Sequence, residues 1–323
     1  GRLCARRERI AGRRGEQQGE QERDLERAAE PLAREAFRLK RLVSLALWRG
    51  QLVHYVTTKV LASLRAKGRI PAFDDVRRYT LERFEAQHAF SRDLRYRAEP
   101  KKRGGVLNID WLALFEHEYG LPLDENRLAT ARDECVTAMR NLLGSAILER
   151  IAATDPDGWA IENIDLGEFA QVFDFEGARV FAKTDLMFRG ADGTFNIVDW
   201  KTFSGDAAQR DDEKAGLQLG VYGFYAAAIL GEPLERIRLI EVNLLDRAAE
   251  TERAVSPQVL EHFRLRIRSG IDKLAAVLEN GDIARNRPLP PRAFPPLDNG
   301  RCRYCNFFRI CKDDSNPQRL PAV

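Results

Sequence analysis

The stretch AKTDLMFRGADGTFNIVDWKT, residues 182–202, decides how this chain is organised. Two runs rich in β-branched and aromatic residues flank the turn residues Gly190-Ala-Asp-Gly193, a pattern typical of a β-hairpin. Working outward, residues 167–175, 178–188 and 194–200 read as three consecutive strands, 217–230 as a buried helix and 237–244 as a further strand. Strands that alternate with helices in this way predict an α/β fold, with a small mixed central sheet flanked by helices.

The sequence before this core has the periodicity of helices. Apolar residues recur at helical spacing over 39–64, and helical patterns resume at 110–118 and 128–151. A proline-rich stretch at 288–296 leads to a cysteine-containing end. We therefore expect four segments: an N-terminal segment 1–15 with one cysteine, a helical region 16–155, an α/β core 156–285, and a C-terminal cysteine segment with a tail at 286–323.

Composition excludes several classes of protein. The 323 residues, of which 44% are hydrophobic and 31% charged, suffice for a substantial core. No run of 18 apolar residues occurs, so we expect no segment that spans a membrane. Residues 1–41 are crowded with Arg and Glu and lack the pattern of an export signal, so we expect a cytoplasmic protein. The net charge of +3 does not by itself indicate a nucleic-acid partner, and no phosphate-binding loop of an ATP motor occurs.

Acidic residues stand at the ends of the predicted strands. Asp185 lies within the second strand, whereas Asp199 and Lys201 close the third and, being two residues apart, project to the same side. Carboxylates on neighbouring strands can hold a hard cation such as Mg²⁺ or Mn²⁺ through oxygen. A lysine beside that cation can orient water and stabilise charge developing on a phosphate. The competing interpretation of the acid-x-Lys tripeptide is a solvated surface pair.

Cysteines at both ends of the chain suggest a second metal site. Cys302, Cys305 and Cys311 have the spacing C-x2-C-x5-C, and Cys4 is their remote counterpart. Four thiolates at such positions predict a staple that joins the two termini. Zinc is one candidate, but the spacing and the interleaved aromatic residues favour a [4Fe–4S] cluster. The fifth cysteine, Cys135, reads as a buried structural thiol.

These motifs together resemble the PD-(D/E)XK nucleases. The segment from Asp185 to Asp199-Trp-Lys201-Thr is similar to the D…(D/E)-x-K core of the RecB-like branch of that superfamily. Further motifs of this branch occur in family order: Gly50-Gln-Leu-Val-His54, Gln218-Leu-Gly-Val-Tyr222, and the cysteines at 4, 302, 305 and 311. The last set resembles the iron–sulfur subset that includes the CRISPR-associated adaptation exonuclease and AddB.

The resemblance implies a restriction-endonuclease-like core and a role for each matching residue. His54, Asp185, Asp199 and the backbone carbonyl of Trp200 are expected to hold Mg²⁺ or Mn²⁺, and Lys201 to position or activate water. Gln218 and Tyr222 are expected to border the site and contact DNA. The implied function is a deoxyribonuclease, an exonuclease on single-stranded DNA, with a helicase or another complex subunit as a further partner. The alternative is a DNA-binding or scaffold subunit of a repair or defence complex, with weak or no cleavage.

Overall fold

The computed structural model describes residues 31–103, 106–161, 171–203, 212–294 and 302–311. These residues form two compact units that interleave along the chain. The helical unit takes in the described residues within 1–48, 81–132 and 290–323, and the sheet unit those within 49–80 and 133–289. The four linear segments expected from the sequence stay a prediction.

Helices make up most of the chain before residue 155. The α-helices of the described residues, in chain order, are α1 Pro31–Leu39, α2 Leu45–Lys67, α3 Phe73–Arg92, α4 Phe115–Glu118, α5 Glu125–Leu143, α6 Ala146–Ala152, α7 Asp212–Phe224, α8 Pro257–Ala275 and α9 Phe308–Cys311. Helix α7 continues as a π-helical turn over Tyr225–Ile229. None of the described helices is both long and apolar enough to cross a membrane.

The strands lie mostly between residues 160 and 254. They are β1 Lys102–Arg103, β2 Val106–Leu107, β3 Ala160–Ile161, β4 Val172–Phe175, β5 Ala178–Phe181, β6 Leu186–Arg189, β7 Phe195–Lys201, β8 Ile237–Asn243 and β9 Ala249–Ala254. Among the described residues, five strands form one sheet in the order β3-β6-β7-β8-β9. Strands β7 and β8 are parallel and joined through α7, and the other neighbours are antiparallel. The prediction of a small mixed sheet flanked by helices is confirmed.

One predicted strand is two strands in the structure. The segment 178–188 divides into β5, which pairs with β4 outside the main sheet, and β6, which pairs with β3 and β7. Between them, the buried side chain of Gln171 accepts a 2.7 Å hydrogen bond from the Thr184 amide and donates one of 2.7 Å to the Thr184 hydroxyl. These bonds give the Thr184 amide a partner where the backbone no longer pairs with a neighbouring strand. Asp185 therefore lies in the break before β6, and the expectation that it sits in mid-strand was wrong.

Two helix predictions are also corrected. In the segment 110–118 only Phe115–Glu118 is helical, because Val43 and Leu114 form an isolated β-bridge in which the Val43 amide donates to Ala113. The segment 128–151 is broken at Gly144-Ser145, where the Ser145 hydroxyl accepts a hydrogen bond from the Leu148 amide and so caps α6.

The core of the sheet unit lies between one face of the sheet and helices α7 and α8. Ile197 of β7 and Leu239 of β8 pack there with Tyr222, Tyr225 and Phe263, all buried. Residues two apart on a strand share a face, so the face that carries Ile197 also carries Asp199. The hydrophobic core thus fixes which side of the sheet receives the acidic residues.

In the helical unit, the C-terminal segment 302–311 is anchored by polar contacts. The Asn306 side chain donates to the Leu42 carbonyl at 2.8 Å, and the Tyr119 hydroxyl donates to the Asn306 carbonyl at 2.7 Å. Arg309 donates to the buried carboxylate of Glu118 at 2.9 Å. The segment that carries the three C-terminal cysteines therefore has a defined place in this unit.

Candidate active site

Two carboxylates occupy adjacent positions on the sheet. The β6–β7 register pairs Leu186 with Val198, so Asp185, one residue earlier, falls opposite Asp199, one residue later. Asp185 is 9% exposed and Asp199 is 3% exposed. Buried like charges side by side are costly unless cations or donors compensate them.

Asp185 is held from two sides. Its Oδ2 accepts a 2.7 Å hydrogen bond from the Trp200 amide, and its Oδ1 lies 3.3 Å from His54 Nδ1 on α2. The structure thus brings His54, Asp185 and Trp200 together. The contact of Trp200 is made through its amide, and a role for its carbonyl stays a prediction.

Asp199 is surrounded by the other predicted residues. Lys201 Nζ lies 2.5 Å from Asp199 Oδ2 and donates to Gln218 Oε1 at 2.8 Å. Gln218 Nε2 donates to Tyr222 Oη at 2.7 Å and lies 3.3 Å from Asp199 Oδ1. The Tyr222 hydroxyl donates to the Lys183 carbonyl at 2.6 Å. Gln218 and Tyr222 reach the site together because they lie one helical turn apart on α7.

The electrostatics of Asp199 follow from this packing. Burial, and then repulsion from Asp185, raise its pKa to about 6, although Lys201 acts in the opposite direction. Burial also raises the pKa of Tyr222 above its ordinary value, so its hydroxyl stays protonated and serves as a donor. Asp199 therefore binds a proton at a higher pH than an ordinary carboxylate does.

Helix α2 approaches the end of β7 closely. A Cβ added at Gly50 would lie 3.2 Å from Thr202 Oγ1, tighter than most real contacts. Arg49 donates one guanidinium nitrogen to the Thr202 carbonyl and another to Glu134. Gly50 and His54 are one turn apart on the helix. The glycine therefore lets α2 lie against the strand end while His54 reaches Asp185.

Alanine at Gly50 should gain less stability than alanine at another helical glycine. Gly216 on α7 has open space around its Cα, so Gly216→Ala should stabilise the protein by roughly 0.5–1 kcal/mol through helix propensity. At Gly50 the same gain is offset by the contact with Thr202, and Gly50→Val should lower the melting temperature outright. Thermal unfolding of the three variants tests this. Equal stabilisation by both alanines would contradict the close approach.

No pattern in the sequence predicted that two further residues would lie near the site. Arg49 ties the backbone after Lys201 to α2 from 153 positions earlier in the chain. Glu241 is 3% exposed and is the β8 register partner of Asp199, so the two side chains share a face of the sheet. Both placements depend on pairing between distant segments, and the hydrophobic pattern around each residue is ordinary.

The oxygen donors suit a hard cation. In the described part of the chain, Asp199 Oδ2 is buried and has no hydrogen-bond donor with good geometry, although Lys201 Nζ is its ionic neighbour. Such an orphaned carboxylate oxygen beside a second carboxylate is a fitting ligand for Mg²⁺ or Mn²⁺. Across those same described residues, however, no three His, Cys, Asp or Glu side chains are arranged to enclose a metal. The Lys201 ammonium lies beside Asp199 Oδ2 and forms an ion pair with it.

The described residues include three of the four cysteines that were predicted to form a cluster. Cys302 and Cys305 are half-buried and lie on one turn, with the Cys305 amide donating to the Cys302 carbonyl at 3.0 Å, and Cys311 is exposed at the end of α9. Their thiols are suitable ligands for iron or zinc, but the described cysteines do not form a metal-enclosing group. Cys4 lies outside the described residues. Cys135 is fully buried, as expected, and burial raises the pKa of its thiol to about 12.

Comparison with known proteins supports the same interpretation. A family model described as the PD-(D/E)XK nuclease superfamily matches residues 23–312, which include α2, the whole sheet and α7. Neither the curated proteins nor the solved structures give a match. The matched range contains Asp185, Asp199 and Lys201 in the geometry described above. The chain therefore belongs to the PD-(D/E)XK nuclease superfamily.

Proposed function

We propose that this protein is a metal-dependent deoxyribonuclease of the RecB-like branch, acting as an exonuclease on single-stranded DNA. The observation that carries the proposal is the placement of Asp185 opposite Asp199, with Lys201 and Gln218 against the second carboxylate. The order of the motifs along the chain supports the branch. Unwinding of a duplex would fall to a helicase or another subunit, and the cytoplasm is the compartment that we propose.

The residues of the site have different roles in the proposed reaction. Asp185, Asp199 and His54 would hold Mg²⁺ or Mn²⁺, which when bound supplies Lewis acidity to the scissile phosphate. Trp200 and His54 fix the Asp185 carboxylate through its two oxygens. Lys201 orients the attacking water and stabilises the negative charge that develops on phosphate oxygens. The Gln218 side chain accepts a hydrogen bond from the Lys201 ammonium and donates one to the Tyr222 hydroxyl. These bonds keep the Lys201 side chain in the site and out of solvent.

Cleavage of labelled DNA tests this function. Purified protein with Mn²⁺ is expected to degrade single-stranded DNA faster than duplex of the same sequence, and substrates blocked at one end should separate exonuclease from endonuclease action. The double variant Asp199→Asn, Lys201→Met is the matched inactive control. DNA binding without metal-dependent hydrolysis by the wild-type protein would instead support the scaffold alternative, and undiminished cleavage by the double variant would refute the site.

Metal affinity should depend on pH through Asp199. Because its folded-state pKa is raised to about 6, a proton occupies this carboxylate in the metal-free protein below that pH. Titration with Mn²⁺ should therefore show affinity that is constant from about pH 7 upward and falls up to tenfold per pH unit below about pH 6. An affinity that is flat between pH 5 and pH 8 would contradict this assignment.

We also propose that Cys4, Cys302, Cys305 and Cys311 hold a [4Fe–4S] cluster with a structural role. The support is their spacing together with the anchoring of segment 302–311 by Asn306 and Arg309. Protein purified without oxygen should be brown and contain iron, and Cys302→Ser should lose iron and stability before it loses activity. A colourless protein that contains zinc would refute the cluster.

A further inference from the structure

Strand β5 exposes an aromatic side chain, Phe181, four residues before Asp185 in the sequence. Along this strand buried and exposed residues alternate: Ala178 and Ala182 are buried and Val180 is partly buried, whereas Arg179 and Phe181 face solvent. The exposed fraction of Phe181 is 44%. Phe181 thus lies on the side of β5 opposite to the core-facing positions.

Two of the exposed residues between Ala178 and Asp185 carry positive charge. The Arg179 guanidinium lies 5.8 Å from the centre of the Phe181 ring. The alternation continues to Lys183, which is exposed between buried Ala182 and Thr184 and stands two residues before Asp185. We call Arg179, Phe181 and Lys183 the β5 stripe. Asp174 lies opposite Arg179 in the hairpin register, so Lys183 provides the net positive charge of this surface.

We propose that the β5 stripe binds a single strand of DNA immediately beside the scissile phosphate. A base stacks on Phe181, and the Arg179 and Lys183 side chains contact neighbouring phosphates. Stacking and cations combine in this way at sequence-tolerant single-strand sites, because every base offers a π face and every nucleotide a charge. The inference rests on the proposed nuclease function, and it adds the residues that favour an unpaired strand over a duplex.

Continuity with the active site supports this occupant. The chain runs from Phe181 to Asp185 in four residues, and the Lys183 carbonyl accepts the hydrogen bond of Tyr222, which also borders Asp199. Four residues span at most about 14 Å, so a strand whose phosphate lies at the two carboxylates can reach the stripe. A duplex lacks free base faces, so it gains the charge contacts without the stacking.

Equilibrium binding in EDTA tests the proposal without any cleavage. Fluorescence anisotropy with a dye-labelled oligodeoxythymidine of about 20 nucleotides should show that Phe181→Ala weakens binding about 5- to 100-fold. Binding of a duplex of equal length should change less than about twofold. Phe294→Ala is the matched control, because Phe294 is 45% exposed and lies outside the sheet unit. Circular dichroism checks that each variant is folded.

The charges are tested separately by salt dependence. The double variant Arg179→Gln, Lys183→Gln should lower the slope of log affinity against log salt by about 0.7 to 1.4, the values for one and two lost contacts to single-strand phosphates. Single-strand affinity in both the Phe181 variant and the double variant equal to that of Phe294→Ala would overturn the stripe. Failure of the wild-type protein to bind the oligonucleotide would overturn it as well. Normal binding with no Mn²⁺-dependent cleavage would count against the nuclease function and leave the stripe standing.

Discussion

Lys201→Met is expected to lower the rate of DNA cleavage by about 10²- to 10⁴-fold while leaving Mn²⁺ binding intact. The rate falls because the variant loses the ammonium that orients water and stabilises charge on the phosphate. Metal binding is retained, or becomes tighter, because Lys201 Nζ at 2.5 Å from Asp199 Oδ2 competes with a cation for that oxygen. Single-turnover cleavage and Mn²⁺ titration of the same preparation measure the two effects.

The control for this variant is Lys273→Met, which removes an exposed lysine from α8 and should cleave at the wild-type rate. If Lys201→Met also lost Mn²⁺ affinity, the lysine would be assembling the metal site and its catalytic role would be in doubt. Cleavage within a few-fold of wild type would remove Lys201 from the mechanism.

Asp199→Asn is expected to abolish both Mn²⁺ binding and cleavage, and yet to stabilise the metal-free protein at alkaline pH. The pKa of Asp199 is raised from 3.8 to about 6 in the folded state. Between these values the folded protein binds more protons than the unfolded chain, so stability is lost as the pH rises through this window. Asparagine removes a penalty on the order of 1–3 kcal/mol, partly offset because Lys201 loses its ionic partner.

Melting curves test the sign of this effect. In EDTA at pH 8, Asp199→Asn should melt about 2 °C or more above wild type, and the difference should shrink toward pH 4, where the wild-type carboxylate is already protonated. With saturating Mn²⁺ the order should reverse, because only the wild-type protein gains the free energy of metal binding. A variant less stable than wild type at pH 8 without metal would mean that the Lys201 ion pair outweighs the repulsion from Asp185.

Local periodicity was enough to predict much of this site. Asp199 and Lys201 share a face because a strand has period two, and Gln218 and Tyr222 share a face because a helix repeats every 3.6 residues. Each relation lies inside one element and can be read from a short window of sequence. The contacts of Lys201 with Asp199 and Gln218 agree with that interpretation.

Relations between distant segments could not be predicted in the same way. The break at Ala182–Asp185 depends on the side chain of Gln171, and no glycine or proline marks it. Glu241 is a neighbour of Asp199 on the sheet only through the parallel register of β7 and β8. Arg49 reaches Thr202 only once α2 lies against the strand. In each case the deciding partner lies too far away in the sequence for a pattern to reveal it.

The hydrogen bond from Arg49 to the Thr202 carbonyl also bears on when the proposed activity can first appear. This bond spans 153 positions, and Gln218 and Tyr222 follow still later in the chain. Contacts of such high sequence separation form slowly, since a long loop must close before they contribute stability. During synthesis from the N-terminus, His54 emerges well before the carboxylates that it adjoins, and Gln218, which holds Lys201, emerges later still. A ribosome-bound chain that ends between Lys201 and Gln218 would therefore carry the histidine and both aspartates without an assembled centre. The proposed nuclease activity would appear only after synthesis has passed Tyr222.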